Sequence, residues 1–245
     1  MARTRRTPDA RSYVLVHGAW HGGWCWRRVV DLLQAARQRV LAPTLTGLGD
    51  RVHLARHDSS IELFADDIIN AIDAEELSEV ILVGHSFGGR PISLVADRVP
   101  HRILHLVYLD AALPENGVSH LDALPTDLRE ARIRAAEAFD GGHSLPPPPP
   151  EDLGVTDPAD VAWLRRRLVP QPFSCFRASI RLAHPLGNGL PVTYIRCTEP
   201  AYQPMEASAR RARTMAGWRY LELPTGHDAM VTRPRELTEM LLAID

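Results

Sequence analysis

Gly84-His85-Ser86-Phe87-Gly88 stands between the apolar run Glu79-Val-Ile-Leu-Val83 and the apolar stretch Pro91-Ile-Ser-Leu-Val-Ala96. That order predicts strand, tight turn and helix, the context in which a G-x-S-x-G motif carries chemistry. Glycines on either side let the backbone take a strained turn that a Cβ would block. The serine hydroxyl is then presented above a sheet at the start of a helix, where free N–H groups and the helix dipole favour developing negative charge. Ser86 is the candidate nucleophile.

Outward from this turn, strands and helices alternate. Tyr13–Val16, Val40–Ala42, Val80–Val83 and Ile103–Leu109 are short apolar runs, as expected for parallel strands covered on both faces. Between them, Trp24–Ala36 has apolar residues at helical spacing, and Ser59 with Glu62 reads as a capping box opening a helix lined by Ile61, Phe64, Ala65, Ile68 and Ile72. The helix after Ser86 runs to about Pro100. The spacing predicts an α/β fold, a mainly parallel sheet of about six strands with right-handed crossovers.

From Leu113 to Gly189 no strand is predicted, only helical stretches at Leu124–Phe139 and Asp157–Leu168 around the proline run Pro146–Pro150. That run reads as a stiff polyproline II spacer. An insertion this long at a sheet edge reads as a helical lid or substrate-binding element. Strands resume at Pro191–Ile195 and Trp218–Leu223, with helices opened by Pro204 and Pro234. The expected organisation is a disordered tail over 1–11, a core over 12–112 and 190–245, and a lid over 113–189, all in one domain.

The 245 residues are 45% apolar and 24% charged with a formal net charge of −2, ordinary for a soluble protein and without the basic field of a nucleic-acid or acidic-membrane binder. No apolar run reaches the ~20 residues of a membrane span. Cys25, Cys175 and Cys197 are too few and too scattered for a disulfide framework or a zinc site, and a reducing cytoplasm fits them. The spacing of His53 and His57 lacks a third metal ligand nearby.

A serine nucleophile needs a base within hydrogen-bond reach, oriented by a third group, and two N–H donors for the oxyanion. Gly226-His227-Asp228 follows the last strand, the place for that base, so His227 takes the role. The donors are assigned to the amides of Phe87, next to the serine, and Ala19, in the turn His17-Gly18-Ala19-Trp20 after the first strand. His17 is expected to pack or hydrogen-bond within that turn.

The run His17-Gly18-Ala19-Trp20-His21-Gly22-Gly23-Trp24, the serine turn and Thr225-Gly226-His227-Asp228 together resemble the α/β-hydrolase fold. More narrowly they resemble the plant methyl-salicylate esterase and hydroxynitrile lyase group and its bacterial carboxylesterase relatives, over nearly all of residues 12–245. Plant members carry their acid after the penultimate strand, in a stretch similar to Cys197-Thr198-Glu199 with aspartate next; here the next residue is Pro200. Asp110, at the end of the fourth strand, occupies a position from which some α/β-hydrolases take the acid. The resemblance therefore implies Asp110 as the orienting acid, with Glu199 as the runner-up; a structural Asp110 at the lid entrance is the other reading. In the lyases a threonine follows the first-turn histidine and a lysine follows the catalytic one. Gly18 and Asp228 stand there instead, which favours hydrolysis.

The sequence thus reads as a serine hydrolase for a small, largely apolar carboxylic ester, working without metal or organic cofactor, as a monomer or a homodimer. Trp20, Trp24 and Trp163 are candidates to line the substrate site. The alternative is a decarboxylase, cyclase or lyase of biosynthesis built on the same scaffold for a polyketide-like substrate.

Overall fold

The computed structural model describes residues 10–244. The tail expected over 1–11 lies largely outside them, and Arg11 at its end is held in place, its N–H donating to Gln38 Oε1 at 2.8 Å. In chain order the strands and helices are β1 (Ser12–Val16), α1 (Arg27–Ala35), β2 (Arg39–Leu41), α2 (Ile61–Ala74), β3 (Val80–His85), α3 (Gly89–Arg98) and β4 (Ile103–Leu109). There follow α4 (Thr126–Asp140), β5 (Ser144–Leu145), α5 (Pro158–Arg165), β6 (Gln171–Pro172) and α6 (Ser174–Arg177). The last are β7 (Val192–Cys197), α7 (Glu206–Thr214), β8 (Arg219–Leu223), α8 (Ala229–Thr232) and α9 (Pro234–Leu242).

Six strands form one sheet in the order β2-β1-β3-β4-β7-β8, and every pairing in it is parallel. The register sets Val14 beside Leu82, Leu82 beside Leu106, and Tyr108 beside Tyr194. Alternation along each strand then divides the core in two. Val14, Leu82, Leu106, Tyr108 and Tyr194 pack with Phe64 and Ile68 of α2 and Ile92 and Val95 of α3. Tyr13, Ile81, Val83, Val107 and Ile195 pack with Val29 and Leu33 of α1 and Leu237 and Leu241 of α9. All six residues of the central β3 are buried, which explains its unbroken apolar run up to the glycine.

Three local expectations need correction. Helix α2 is capped by Ser60, whose side chain accepts from the Leu63 N–H, and not by Ser59. The Ser59 hydroxyl turns back to the Arg56 carbonyl, and the Ser59 carbonyl accepts from Ser174 Oγ at 2.7 Å, so its backbone is tied to the 113–189 segment instead. That segment is not strand-free, because β5 and β6 pair antiparallel. Its helices also start one or two residues later than the apolar spacing suggested, α5 stops three residues earlier at Arg165, and the proline run ends in a 3-10 turn, Pro150–Leu153. No helix among the described residues is long and apolar enough to cross a membrane.

Candidate active site

The turn after β3 sets Ser86 at φ 54°, a left-handed conformation that costs energy for any residue with a Cβ. Two glycines make room for it. A Cβ on Gly84 would lie 2.7 Å from Ile92 Cδ1, and one on Gly88 would lie 2.7 Å from the His17 carbonyl oxygen. Trp20 at φ 67° and Asp110 at φ 40° share this uncommon geometry, so three of the seven non-glycine residues with positive φ among the described residues converge here.

The structure brings Ser86, His227 and Asp110 together. His227 Nε2 lies 2.8 Å from Ser86 Oγ, and His227 Nδ1 lies 2.6 Å from Asp110 Oδ2. With Nδ1–H donating to the carboxylate, Nε2 is free to accept the serine proton. Asp110 is fully buried, and its other oxygen accepts from Arg196 Nη1 at 2.5 Å. Burial would lower the Arg196 pKa, but the adjacent Asp110 carboxylate outweighs it, and the value stands above the ordinary arginine range. Arg196 therefore fixes one carboxylate oxygen and leaves the other to the imidazole. Glu199 is elsewhere: it is exposed, and its backbone pairs with Thr225 rather than approaching the His227 ring.

The amide of Phe87 belongs to the first turn of the helix that starts at Ser86, where N–H groups have no intrahelical partner. The Ala19 N–H makes no hydrogen bond among the described residues. Around Ala19 the loop after β1 is held from several sides. His17 Nδ1 donates to the Gly18 carbonyl at 2.8 Å, and its Nε2 accepts from the Leu45 N–H at 3.1 Å. Both nitrogens are thus used by a neutral ring, and burial pulls its pKa down to about 4. His21 faces two acceptors, the Ala19 carbonyl at 2.7 Å and Asp228 Oδ2 at 3.1 Å. Two acceptors require two ring donors, so His21 is an imidazolium paired with the Asp228 carboxylate. Burial opposes that charge, yet Asp228 raises the His21 pKa, and the Asp228 pKa is lowered in turn against its own burial penalty. His85 Nε2 donates to the His227 carbonyl at 3.0 Å, and burial drives its pKa well below the ordinary value.

Trp20 donates from Nε1 to the Leu145 carbonyl at 3.1 Å, which joins the loop after β1 to the 113–189 segment. It lines a cavity of about 380 Å³ with Leu128, Arg132, Leu145, Pro147 and Tyr202. The Tyr202 ring, one wall of this cavity, lies 4.1 Å from the His227 ring. Trp24 and Trp163, expected beside the substrate, do not line this cavity. They meet edge-to-face at 5.0 Å and pack with the α1 and α9 side of the sheet, whereas Trp20 belongs to the opposite layer. Sequence reasoning gave no role to Arg132, Tyr202 or Arg196.

The Alpha/beta hydrolase family profile matches residues 13–240. The chain belongs to the α/β hydrolase family. A carbendazim hydrolyzing esterase from Nocardioides sp. (strain SG-4G) is 41% identical over 244 residues, covering 95% of this α/β hydrolase and 99% of that protein. An alpha-hydroxynitrile lyase from Arabidopsis thaliana is 39% identical over 140 residues, 54% of each chain. Among solved structures, an extracellular α/β-hydrolase from a Paenibacillus species, described as sharing structural and functional homology with tobacco salicylic acid binding protein 2, superposes with a TM-score of 0.81. It is 23% identical and covers 95% of this hydrolase and 98% of its own chain. The family and the near full-length esterase relative make this hydrolase a carboxylic ester hydrolase.

Proposed function

We propose that the protein hydrolyses a small, largely apolar carboxylic ester through an acyl-enzyme formed on Ser86. The supporting observation is the linked Ser86–His227–Asp110 arrangement, with both hydrogen bonds at 2.8 Å or shorter. Ser86 Oγ attacks the ester carbonyl carbon while His227 Nε2 takes its proton; Asp110 holds the ring in the required tautomer and stabilises the imidazolium. The amides of Ala19 and Phe87 receive the negative charge that develops on the carbonyl oxygen. Collapse of the tetrahedral intermediate breaks the bond to the alcohol, which leaves with the proton from His227. Water then repeats the cycle on the acyl-serine, releasing the acid and restoring the hydroxyl.

Space at Gly18 favours this reading over a lyase. A side chain there would begin 2.7 Å from Ser86 Cβ, so the threonine of the hydroxynitrile lyases has no room. Asp228, in the place of their lysine, is buried against His21. The segment over 113–189 acts as the lid that encloses the substrate. Free, buried Cys25, Cys175 and Cys197 suit a cytoplasmic, reducing setting.

Turnover of p-nitrophenyl acetate and butyrate tests the reaction, with carbendazim added to the panel on account of the Nocardioides esterase. Ser86→Ala is expected to abolish turnover and labelling by a fluorophosphonate probe, with the fold kept by circular dichroism. Unchanged hydrolysis by a folded Ser86→Ala protein would end the proposal.

A further inference from the structure

The cavity walled by Trp20 and Tyr202 contains a cation that no acid pairs with among the described residues. Arg132 sits on α4 one turn from Leu128, and both face the space bounded by Trp20 and Tyr202. Its guanidinium lies over the Trp20 ring at 5.6 Å and the Phe176 ring at 5.2 Å. One nitrogen, Nη2, donates to the Tyr202 hydroxyl at 3.3 Å. Arg132 makes no ion pair among the described residues, whereas Arg51, Arg102, Arg129 and Arg196, also at least partly buried, each do. Asp152 also borders the cavity without pairing with it.

A guanidinium presents five donors in a planar fork. Here the two aromatic faces hold that plane, and one donor is spent on a phenol. Burial lowers the Arg132 pKa, opposed only by Tyr202. A partly desolvated charge left like this is costly unless a counter-charge arrives. The remaining donors match the two oxygens of a carboxylate, the group that arginine binds bidentately. Apart from Asp152 and Tyr202, the rest of the lining is apolar, from Leu128, Ala131, Ala135, Leu145 and the prolines.

We infer that Arg132 is a specificity-determining residue that binds a carboxylate on the substrate, remote from the ester group that Ser86 attacks. The preferred substrates are half-esters of dicarboxylic acids: the ester lies at the serine, an apolar spacer crosses Trp20 and Tyr202, and the free carboxylate meets the guanidinium. Tyr202 links the two ends, because its hydroxyl touches Arg132 and its ring covers His227. The inference rests on the ester-hydrolase reading and narrows it to a substrate with one charged end.

The test compares monomethyl half-esters, from succinate to suberate, with neutral counterparts in which the free carboxylate is a primary amide. Released methanol is the readout. The wild-type protein is expected to favour at least one half-ester by about tenfold or more in kcat/KM, the discrimination a charge-assisted hydrogen bond supplies. Arg132→Met is expected to bring that ratio to one or below, and Arg132→Lys to keep part of it. A second measurement needs no variant: the matching dicarboxylate should inhibit p-nitrophenyl acetate hydrolysis competitively, and the diamide should not. Turnover of p-nitrophenyl acetate without half-ester preference and without dicarboxylate inhibition overturns this inference alone. Failure to turn over any ester overturns the proposed function, and this inference with it.

Discussion

Asp110 leaves β4 with φ 40° and a fully buried carboxylate divided between two cationic or proton-donating partners, Arg196 and His227. Replacing it with asparagine keeps the volume but offers Nδ1 of His227 an amide in place of a carboxylate, which favours the wrong ring tautomer. Asp110→Asn is therefore expected to lower kcat by about 10⁴-fold, the cost seen for the equivalent change in serine proteases. Glu199→Gln, at an exposed position away from the ring, is expected to change kcat less than about twofold, since surface changes of this kind perturb little. Steady-state kinetics on p-nitrophenyl butyrate checks both; a larger loss in the glutamine variant would return the acid to the plant position. Ser86 and His227 could be proposed from the turns that follow strands, whereas Asp110 and Glu199 entered only through the family resemblance. Arg196 was not legible. It lies inside β7 among buried residues, and nothing in a strand pattern tells that one arginine will turn to an aspartate on the neighbouring strand.

At the scale of elements, apolar runs marked every strand of the main sheet to within a residue or two, because parallel strands covered on both faces are mainly apolar. Helix ends were less legible. Only Ser59 has a glutamate three residues on, at Glu62, yet Ser60 is the residue that turns its oxygen to the Leu63 N–H, at 3.2 Å. Tertiary contact decides the matter, since the Ser59 carbonyl is engaged by Ser174 and Cys175 from α6. Ser60→Ala is accordingly expected to cost about 1 kcal/mol of stability through the lost cap. In a chain of this length that corresponds to a fall of roughly 2–4 °C in Tm by calorimetry. A Tm within error of wild type would remove the cap from the account of α2. The two-residue strands β5 and β6 were invisible in sequence for a different reason. They are too short for any periodicity, and their value is to hold Leu145 where its carbonyl meets Trp20.

The whole molecule has an unusual distribution of buried histidines, and its stability should follow them as pH falls. His17, His85, His120 and His105 all have pKa values lowered, in each case chiefly by burial. Below about pH 6.5 the unfolded chain takes up protons at these residues while the folded state refuses them, so stability declines with falling pH. For His17 the refusal extends to about pH 4, where its folded pKa lies. Each unit of that window is worth about 1.4 kcal/mol, and His17 alone removes about 2 kcal/mol by pH 5. His21 and Asp228 do not cancel this. The raised pKa of His21 gives stability that is complete below 6.5 and is lost as pH rises through the folded value. The lowered pKa of Asp228 gives stability present above its ordinary value of 3.8 and lost only as pH falls through the folded one. Between pH 6.5 and 4 both are therefore level, and the slope belongs to the neutral histidines. His17→Gln can keep an amide donor for the Gly18 carbonyl and an acceptor for the Leu45 N–H without a titrating group. Its Tm is expected to fall less than that of wild type between pH 7 and 5, by roughly 4–8 °C for about 2 kcal/mol in a protein of this size. Thermal melts of the two proteins across that range decide the point. Parallel curves would mean that His17 does not titrate against folding, and that the loop carrying Ala19 yields to acid for some other reason.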